Sequence, residues 1–512
     1  MSRARRLRRQ QLQPAAPEAI AASATDPTQS AVPRAPLWLS AAFLLPNLGA
    51  LACGFVFDDR IVLVENQSLH VRSLSQLAHI WKSGYWPDNR GLELYRPVAQ
   101  TVWALTWAVG GGSHPAIFHA LNLALGLAAV LLLYRFLLLV ETPARVAFAA
   151  AALFALFPIH TDATSSVVGS SELMAAAFGL AAVIFYYRNQ SAWALFLFAL
   201  AVFSKESAAA FAALPLVFPH KRPRLRDSWM AATGAAAIVA AALIAHNVLS
   251  RSSQIPAIDN PTALVDVGKR WITALWVQCL YLSKTLVPIT LSADYSYKQI
   301  RLVMGLDDWR AWAGLALAAG AVYLAWRRRE FRPAVFAYAI LFSPTANLVF
   351  PIGTIMGERL TYAPSLGLAL LAAILLARSR YWKPTLIAVA LVFGARTAVR
   401  NRDWLNPQHF YGKLVETSPD SAKAHYSIGV EYAADGDDNR AVASYDRAIE
   451  IFPAYAEAYR NRGNALARLG RREEAMASYR QCLRFDPGDF AANSNLRELE
   501  AGHPVYPPRA HM

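Results

Sequence analysis

The chain has 512 residues, of which 55% are hydrophobic and only 17% charged, and its net charge is +15. Soluble domains carry about 25% charged residues, so most of this chain is built to sit in a bilayer. Its Lys and Arg residues fall in short loops between apolar runs, as orientation signals and lipid-headgroup contacts do, which argues against nucleic acid as a partner.

Residues 1–35 combine Arg3, Arg5, Arg6, Arg8 and Arg9 with Pro, Ala, Ser and Thr and show no apolar periodicity. This is the pattern of a disordered basic tail, and beside a membrane span it stays cytoplasmic. A transmembrane domain is expected over 36–400. Its first apolar run, Pro36 to Phe57, delivers Asp58 and Asp59 into an outer loop, 57–96. Two carboxylates at the mouth of a span are costly unless water, a cation or a substrate meets them. Within that loop, Ile80-Trp81-Lys82-Ser83-Gly84-Tyr85-Trp86-Pro87 suits the membrane interface. Residues 97–110 are apolar but shorter than the ~20 residues of a crossing, and predict a juxtamembrane helix.

Further crossings are expected near 116–138, 145–158, 171–187, 190–203, 206–219, 228–249, 309–326, 333–350, 359–377 and 382–399. Residues 271–291 read as a re-entrant or interfacial element, so the first run makes eleven crossings. With that count, the inner loops hold Arg135 and Arg145, Arg188, the cluster Lys221, Arg222, Arg224 and Arg226, the cluster Arg327, Arg328, Arg329 and Arg332, and finally Arg378, Arg380 and Lys383. The short outer loops 159–170 and 351–357 hold no Lys or Arg. That asymmetry is the positive-inside pattern, and it puts the C-terminal region outside the cytoplasm. Cys53, Cys279 and Cys482 are widely spaced and form neither a disulfide framework nor a metal motif. Ala50-Leu51-Ala52-Cys53 resembles a lipoprotein cleavage site, but the preceding tail is too long for a signal peptide, so a buried thiol is the better reading.

Composition changes sharply after the last span. Ala422, Gly429, Ala441, Tyr445 and Pro453 are matched, 34 residues on, by Ala456, Gly463, Ala475, Tyr479 and Pro487. This is the tetratricopeptide pattern, in which small residues let two helices pack closely and a proline closes the unit. The clear repeats are 422–455 and 456–489 within a domain 403–500. Residues 403–420 read as the second helix of a degenerate repeat, 490–500 as a capping helix and 501–512 as a tail.

The ionisable residues at outer span ends form the candidate site: Asp58, Asp59, Arg96, His160, Asp162, Lys205, Glu206, Asp294, Glu358 and Arg359. Individually each has a structural explanation. Lys205-Glu206 and Glu358-Arg359 can close helix ends as ion pairs, His160 can bond a carbonyl, Asp294 can cap a helix, and Asp58 or Asp59 can serve a turn. Coincidence on one membrane face favours chemistry. Arg96, His160, Lys205 and Arg359 can meet a phosphate leaving group, and a carboxylate can take a proton from an acceptor hydroxyl. Paired carboxylates can equally bind a divalent cation, and the sequence leaves that choice open.

At these positions the chain resembles the transmembrane and tetratricopeptide repeat-containing (TMTC) proteins, within the GT-C glycosyltransferase class. The resemblance is carried by Phe57-Asp58-Asp59 with Glu65-Asn66, Tyr95-Arg96-Pro97-Val98, Phe118-His119-Ala120-Leu121-Asn122 and Phe157-Pro158-Ile159-His160-Thr161. It continues through Gly169-Ser170-Ser171-Glu172-Leu173, Ser204-Lys205-Glu206, Leu291-Ser292-Ala293-Asp294-Tyr295-Ser296, Asn347-Leu348-Val349-Phe350-Pro351 and Glu358-Arg359-Leu360-Thr361-Tyr362-Ala363-Pro364-Ser365. The resemblance implies an integral membrane enzyme that takes a sugar, mannose in eukaryotic relatives, from a polyprenyl-phosphate donor to a hydroxyl acceptor, there Ser or Thr of a protein. It also implies Asp58 and Asp59 as the catalytic motif. Two clear repeats are fewer than those relatives carry, and the Ala- and Arg-rich composition looks bacterial.

The expected architecture is therefore all-α: a polytopic GT-C-like bundle of about eleven transmembrane helices, then a soluble repeat domain outside a bacterial inner membrane. The expected partners are a lipid-linked sugar donor, a protein or glycan acceptor, and proteins bound through the repeats. Two rivals stand beside this reading. An O-antigen-type ligase or polymerase is disfavoured by the short 351–357 loop. A non-enzymatic scaffold or transporter leaves the outer ionisable set without a reason.

Overall fold

The computed structural model describes residues 32–87, 94–110, 114–218, 225–249 and 255–505. The expected basic tail, most of the 221–226 cluster and the end of the C-terminal tail lie outside the described residues. Every regular element among the described residues is helical.

Among the described residues, five helical segments are long and apolar enough to cross a bilayer alone: Ala35–Ala52, Pro115–Leu139, Ser170–Tyr187, Met230–Asn247 and Trp382–Trp404. A sixth arises if Ala144–Leu156 and Pro158–Ser165, bent by 51°, form one broken span. Ser191–Ser204, Glu206–Val217 and Ser365–Ala377 are apolar but shorter. Five or six of the described segments are thus long enough to cross unaided, and others of the eleven expected crossings fall on the shorter apolar helices. Several expected spans are interrupted. The first helix ends at Ala52, short of Phe57; residues 206–213 wind as 3-10 helix; and the segment expected to run to 350 is helical only over Arg332–Phe342. The 271–291 region is one continuous helix, Val267–Leu286, rather than a re-entrant loop, with Trp271 exposed near its start. Pro97–Val109 is the short helix expected before the second long span.

The membrane core packs Ala144–Leu156 between Pro115–Leu139 and Ser365–Ala377, while Ser170–Tyr187 lies against Pro115–Leu139 and Ser191–Ser204. Without a hydrophobic drive between helices in lipid, close backbone approach supplies the association. The alanines at 149–152 are all nearly or fully buried and permit that approach. Gly367 is the extreme case: a Cβ there would stand 2.5 Å from the Ala334 carbonyl oxygen and the Tyr338 nitrogen. Only glycine lets Ser365–Ala377 cross Arg332–Phe342 at that distance.

The repeat domain follows its period. Ala422–Ala434 with Asp438–Ile451, and Ala456–Arg468 with Arg472–Phe485, are two helix pairs; Pro407–Thr417 precedes them and Phe490–Glu500 closes the array. Tyr445 and Tyr479 are fully buried, each over the glycine of its own first helix.

The domain is docked on the membrane portion by paired polar groups. Arg60 pairs with Glu431 at 3.2 Å and Lys423 with Asp259 at 2.7 Å. The Lys298 amide donates to the Asp420 carbonyl, and the Ala422 amide to that of Tyr297, both at 2.8 Å. Ser421 and Ser296 each donate to Asp294 Oδ2 at 2.6 Å. Asp294, expected at the substrate site, thus holds the start of the first repeat.

Candidate active site

The first span breaks at Ala52, and Gly54 donates its amide to the Trp404 carbonyl at 3.1 Å, tying the loop to the end of the last membrane helix. Phe57 has φ 56°, a left-handed conformation that bulky residues rarely adopt. Its ring lies 5.7 Å from Phe410 of the repeat domain, and the chain then enters a turn of π-helix, Arg60–Val64. This bend sends the two adjacent aspartates to different surroundings.

Asp59 points inward and is fully buried. Its Oδ1 accepts from Ser166 Oγ (3.1 Å) and the Val168 amide (2.9 Å), and its Oδ2 from the Val167 amide (3.1 Å). Burial pushes its carboxyl up to about 7, against those two amides and the serine, which favour the charged form. Asp58 points to the partly open side, where its Oδ2 accepts from Arg359 Nη2 at 2.9 Å. The Arg359 amide in turn donates to Asp162 Oδ2 at 2.9 Å. Burial opposes the Arg359 charge, but Asp58 and Asp162 outweigh it and hold its pKa above the ordinary arginine value. Asp58 and Asp162 thus both face Arg359, while both Asp59 oxygens already accept hydrogen bonds from the 166–168 segment.

Arg96 makes a bidentate pair with Glu206, Nε to Oε2 at 3.0 Å and Nη2 to Oε1 at 2.7 Å. Its guanidinium also lies 5.3 Å from the Tyr85 ring centroid, and Tyr85 feels the fields of both Arg96 and the Asp58–Arg359 pair. Lys205 is buried against Glu172. His160 is held by Ser365 Oγ (2.7 Å) among the rings of Phe154, Phe157 and Tyr362. Its ring is surrounded by aromatic groups rather than aimed at Asp58.

Glu358 is fully buried, accepting from Tyr295 Oη (2.5 Å) and the Ser292 amide (2.6 Å) and lying 3.5 Å from Arg400. Burial pushes its carboxyl up to about 7, with Arg400 opposing. A carboxyl whose folded pKa exceeds the ordinary 4.5 binds more protons in the folded state between about 4.5 and about 7. Stability accordingly rises as pH falls through that window, and Asp59 contributes in the same direction. Thermal unfolding of the detergent-solubilised protein should show a midpoint that increases from pH 7.5 to 5.5, with a shallower dependence in Glu358→Gln.

Arg400, Glu172 and Tyr295 were not among the residues proposed from sequence. Arg400 carried a faint signal, as an arginine at the outer end of the last span where the other span-flanking cations gather at inner ends.

Fold and site together define a multi-pass helical membrane protein with a tetratricopeptide repeat domain docked over a buried cluster of acids and cations. The chain is similar to the TMTC proteins. The family model "Protein O-mannosyl-transferase TMTC, DUF1736" matches residues 250–322, and tetratricopeptide models match 429–470 and 456–489. The mouse protein "Protein O-mannosyl-transferase TMTC4" is 26% identical over 470 residues, covering 76% of this chain and 63% of that protein. A Caenorhabditis elegans relative, "Protein O-mannosyl-transferase F38B6.6", is 27% identical over 429 residues, covering 79% and 61%. Human "Protein O-mannosyl-transferase TMTC3" is 26% identical, covering 74% of this chain and 47% of the relative. The chain thus spans less than two thirds of the length of these curated relatives. Among solved structures, an Archaeoglobus fulgidus oligosaccharyltransferase tethered with an acceptor peptide aligns with TM-score 0.37 and 14% identity, over 77% of this chain and 59% of that one.

Proposed function

We propose that this chain is a GT-C-type glycosyltransferase that moves a sugar, mannose by analogy with the names of its relatives, from a polyprenyl-phosphate carrier to a hydroxyl, with Ser or Thr of a protein as acceptor. The observation that carries the reading is the Asp58–Arg359 pair, anchored from below by Asp59 and from the side by Asp162. Asp58 takes the proton of the acceptor hydroxyl as its oxygen bonds to the sugar's anomeric carbon. The bond from that carbon to the phosphate oxygen breaks, and the leaving phosphate meets the Arg359 guanidinium. Arg96 is held by Glu206, and its guanidinium would have to exchange that partner to meet the phosphate. No resident metal enters this scheme. In this reading the reaction takes place on the repeat-domain side of the membrane, taken as the extracytoplasmic face of a bacterial inner membrane because Lys and Arg are absent from the short 159–170 and 351–357 loops.

The test is transfer of labelled mannose from polyprenyl phosphate to Ser/Thr-containing peptides by the purified chain, with mass spectrometry of envelope glycoproteins and glycolipids from a deletion strain. Label on a hydroxyl and loss of one glycan class are expected. Unchanged glycans of every class, together with no transfer, would favour a scaffold that recruits partners through its repeats.

A further inference from the structure

An open crevice of about 710 Å³ lies outside the site just described, where the far end of Trp382–Asn401 meets residues 289–291 and the first helix of the repeat region. Neither Asp58 nor Arg359 lines it. One wall is apolar and turned outward: Ile289, Val392 and Val399 are all more than half exposed. The opposite end is cationic. Arg396 spans the gap to the neighbouring segment by donating from Nε to the Pro288 carbonyl (2.8 Å) and from Nη2 to that of Ile289 (3.1 Å). No described carboxylate lies within ion-pair distance of it. Lys413, on the repeat side, shares its charge with exposed Glu416. At the floor, buried Arg400 bonds Asp403 at 2.6 Å through Nη1, and its Nη2 lies 3.5 Å from Glu358.

An apolar wall that continues the lipid-facing surface of a span, ending in an arginine without an acid, is complementary to one class of molecule at a membrane boundary: a lipid with a phosphate headgroup. We infer that this crevice holds an anionic phospholipid of the leaflet on the repeat-domain side. Its phosphodiester sits at Arg396 and Lys413, and one acyl chain lies along Ile289, Val392 and Val399. Such a lipid bridges the last membrane helix and the repeat domain, so it is a resident of the interface rather than the reacting donor.

Native mass spectrometry of the full chain, titrated with dioleoyl phosphatidylglycerol, dioleoyl phosphatidylcholine or undecaprenyl phosphate, tests this. Phosphatidylglycerol should be retained well above phosphatidylcholine, and Arg396→Gln should weaken it by roughly 5-fold, the usual effect of one cation at a lipid surface. Arg396→Lys keeps the charge but not the fork, and should retain most of the binding. The inference is overturned if Arg396→Gln leaves phosphatidylglycerol binding unchanged, or if phosphatidylcholine binds equally well. It also fails if undecaprenyl phosphate displaces phosphatidylglycerol at equal concentration, which would give the crevice to the carrier. Loss of lipid in Arg396→Lys as well as Arg396→Gln would make the residue a structural tie only.

Discussion

Asp58→Asn is expected to lower the transfer rate by about 100-fold or more, the usual contribution of a positioned general base, while the protein folds and inserts normally. The amide keeps the shape of the side chain and one oxygen able to accept from Arg359, but neither the charge nor the basicity. The fold depends little on this pair, since a partly exposed ion pair contributes only about 1 kcal/mol. Asp59→Asn should behave in the opposite way. Asp59 uses both oxygens for three donors, and an amide offers one. Each buried amide of Val167 or Val168 left unpaired costs about 1–3 kcal/mol, so this variant should lose thermal stability first and activity as a consequence. Melting curves and initial rates on the same preparations separate the two. Near-wild-type transfer by Asp58→Asn would remove it as the base.

Much of this was legible in one sequence because periodicity and composition are local. The 34-residue register of glycine, alanine and tyrosine is enough to place both helix pairs, since the small residues occupy positions where a larger one would collide with the tyrosine ring. The long apolar spans are equally plain. Partners were not legible. Asp58 and Arg359 are 301 residues apart, and the sequence could say only that both sit at span ends on one face. The division of labour between the two aspartates depends on the left-handed turn at Phe57, which no propensity announces because it is held by packing against Phe410. The partners of Asp294 were hidden for a related reason: an acid near a span end does not announce the serines that bond it, Ser296 and Ser421. Helix breaks were not legible: residues 206–213 wind as 3-10 helix inside an apolar run, because hydropathy measures apolarity and not helical continuity.

Docking changes what the repeats can do for the reaction. Glu431 pairs with Arg60, one residue past the aspartates, and Phe410 packs on Phe57, one residue before them. The acidic turn is therefore clamped on both sides by the repeat domain. A protein chain bound by the repeats would be held close to the turn that carries Asp58, which reduces the positional freedom lost when its hydroxyl reaches the base.

The second large effect is expected at Lys205. This lysine was a candidate for the donor phosphate, yet its ammonium is committed to Glu172 in a site where each side chain is only 5% exposed. Removing one partner of such a pair leaves an uncompensated buried charge and costs about 3–5 kcal/mol, whereas removing both with groups of similar shape is often neutral. Lys205→Met should therefore melt well below the wild type, and Lys205→Met combined with Glu172→Gln should recover most of the loss. The double variant also decides the chemistry. If Lys205 acts only by closing the fold, transfer returns together with stability. If the double variant is stable and still inactive, with KM for the lipid donor raised, Lys205 meets the phosphate directly and its pairing with Glu172 must open during the reaction. The depth of the pair and the absence of any other described acid on the ammonium favour the first outcome, under which the proposed role of meeting the leaving group stays with Arg359, held charged by Asp58 and Asp162.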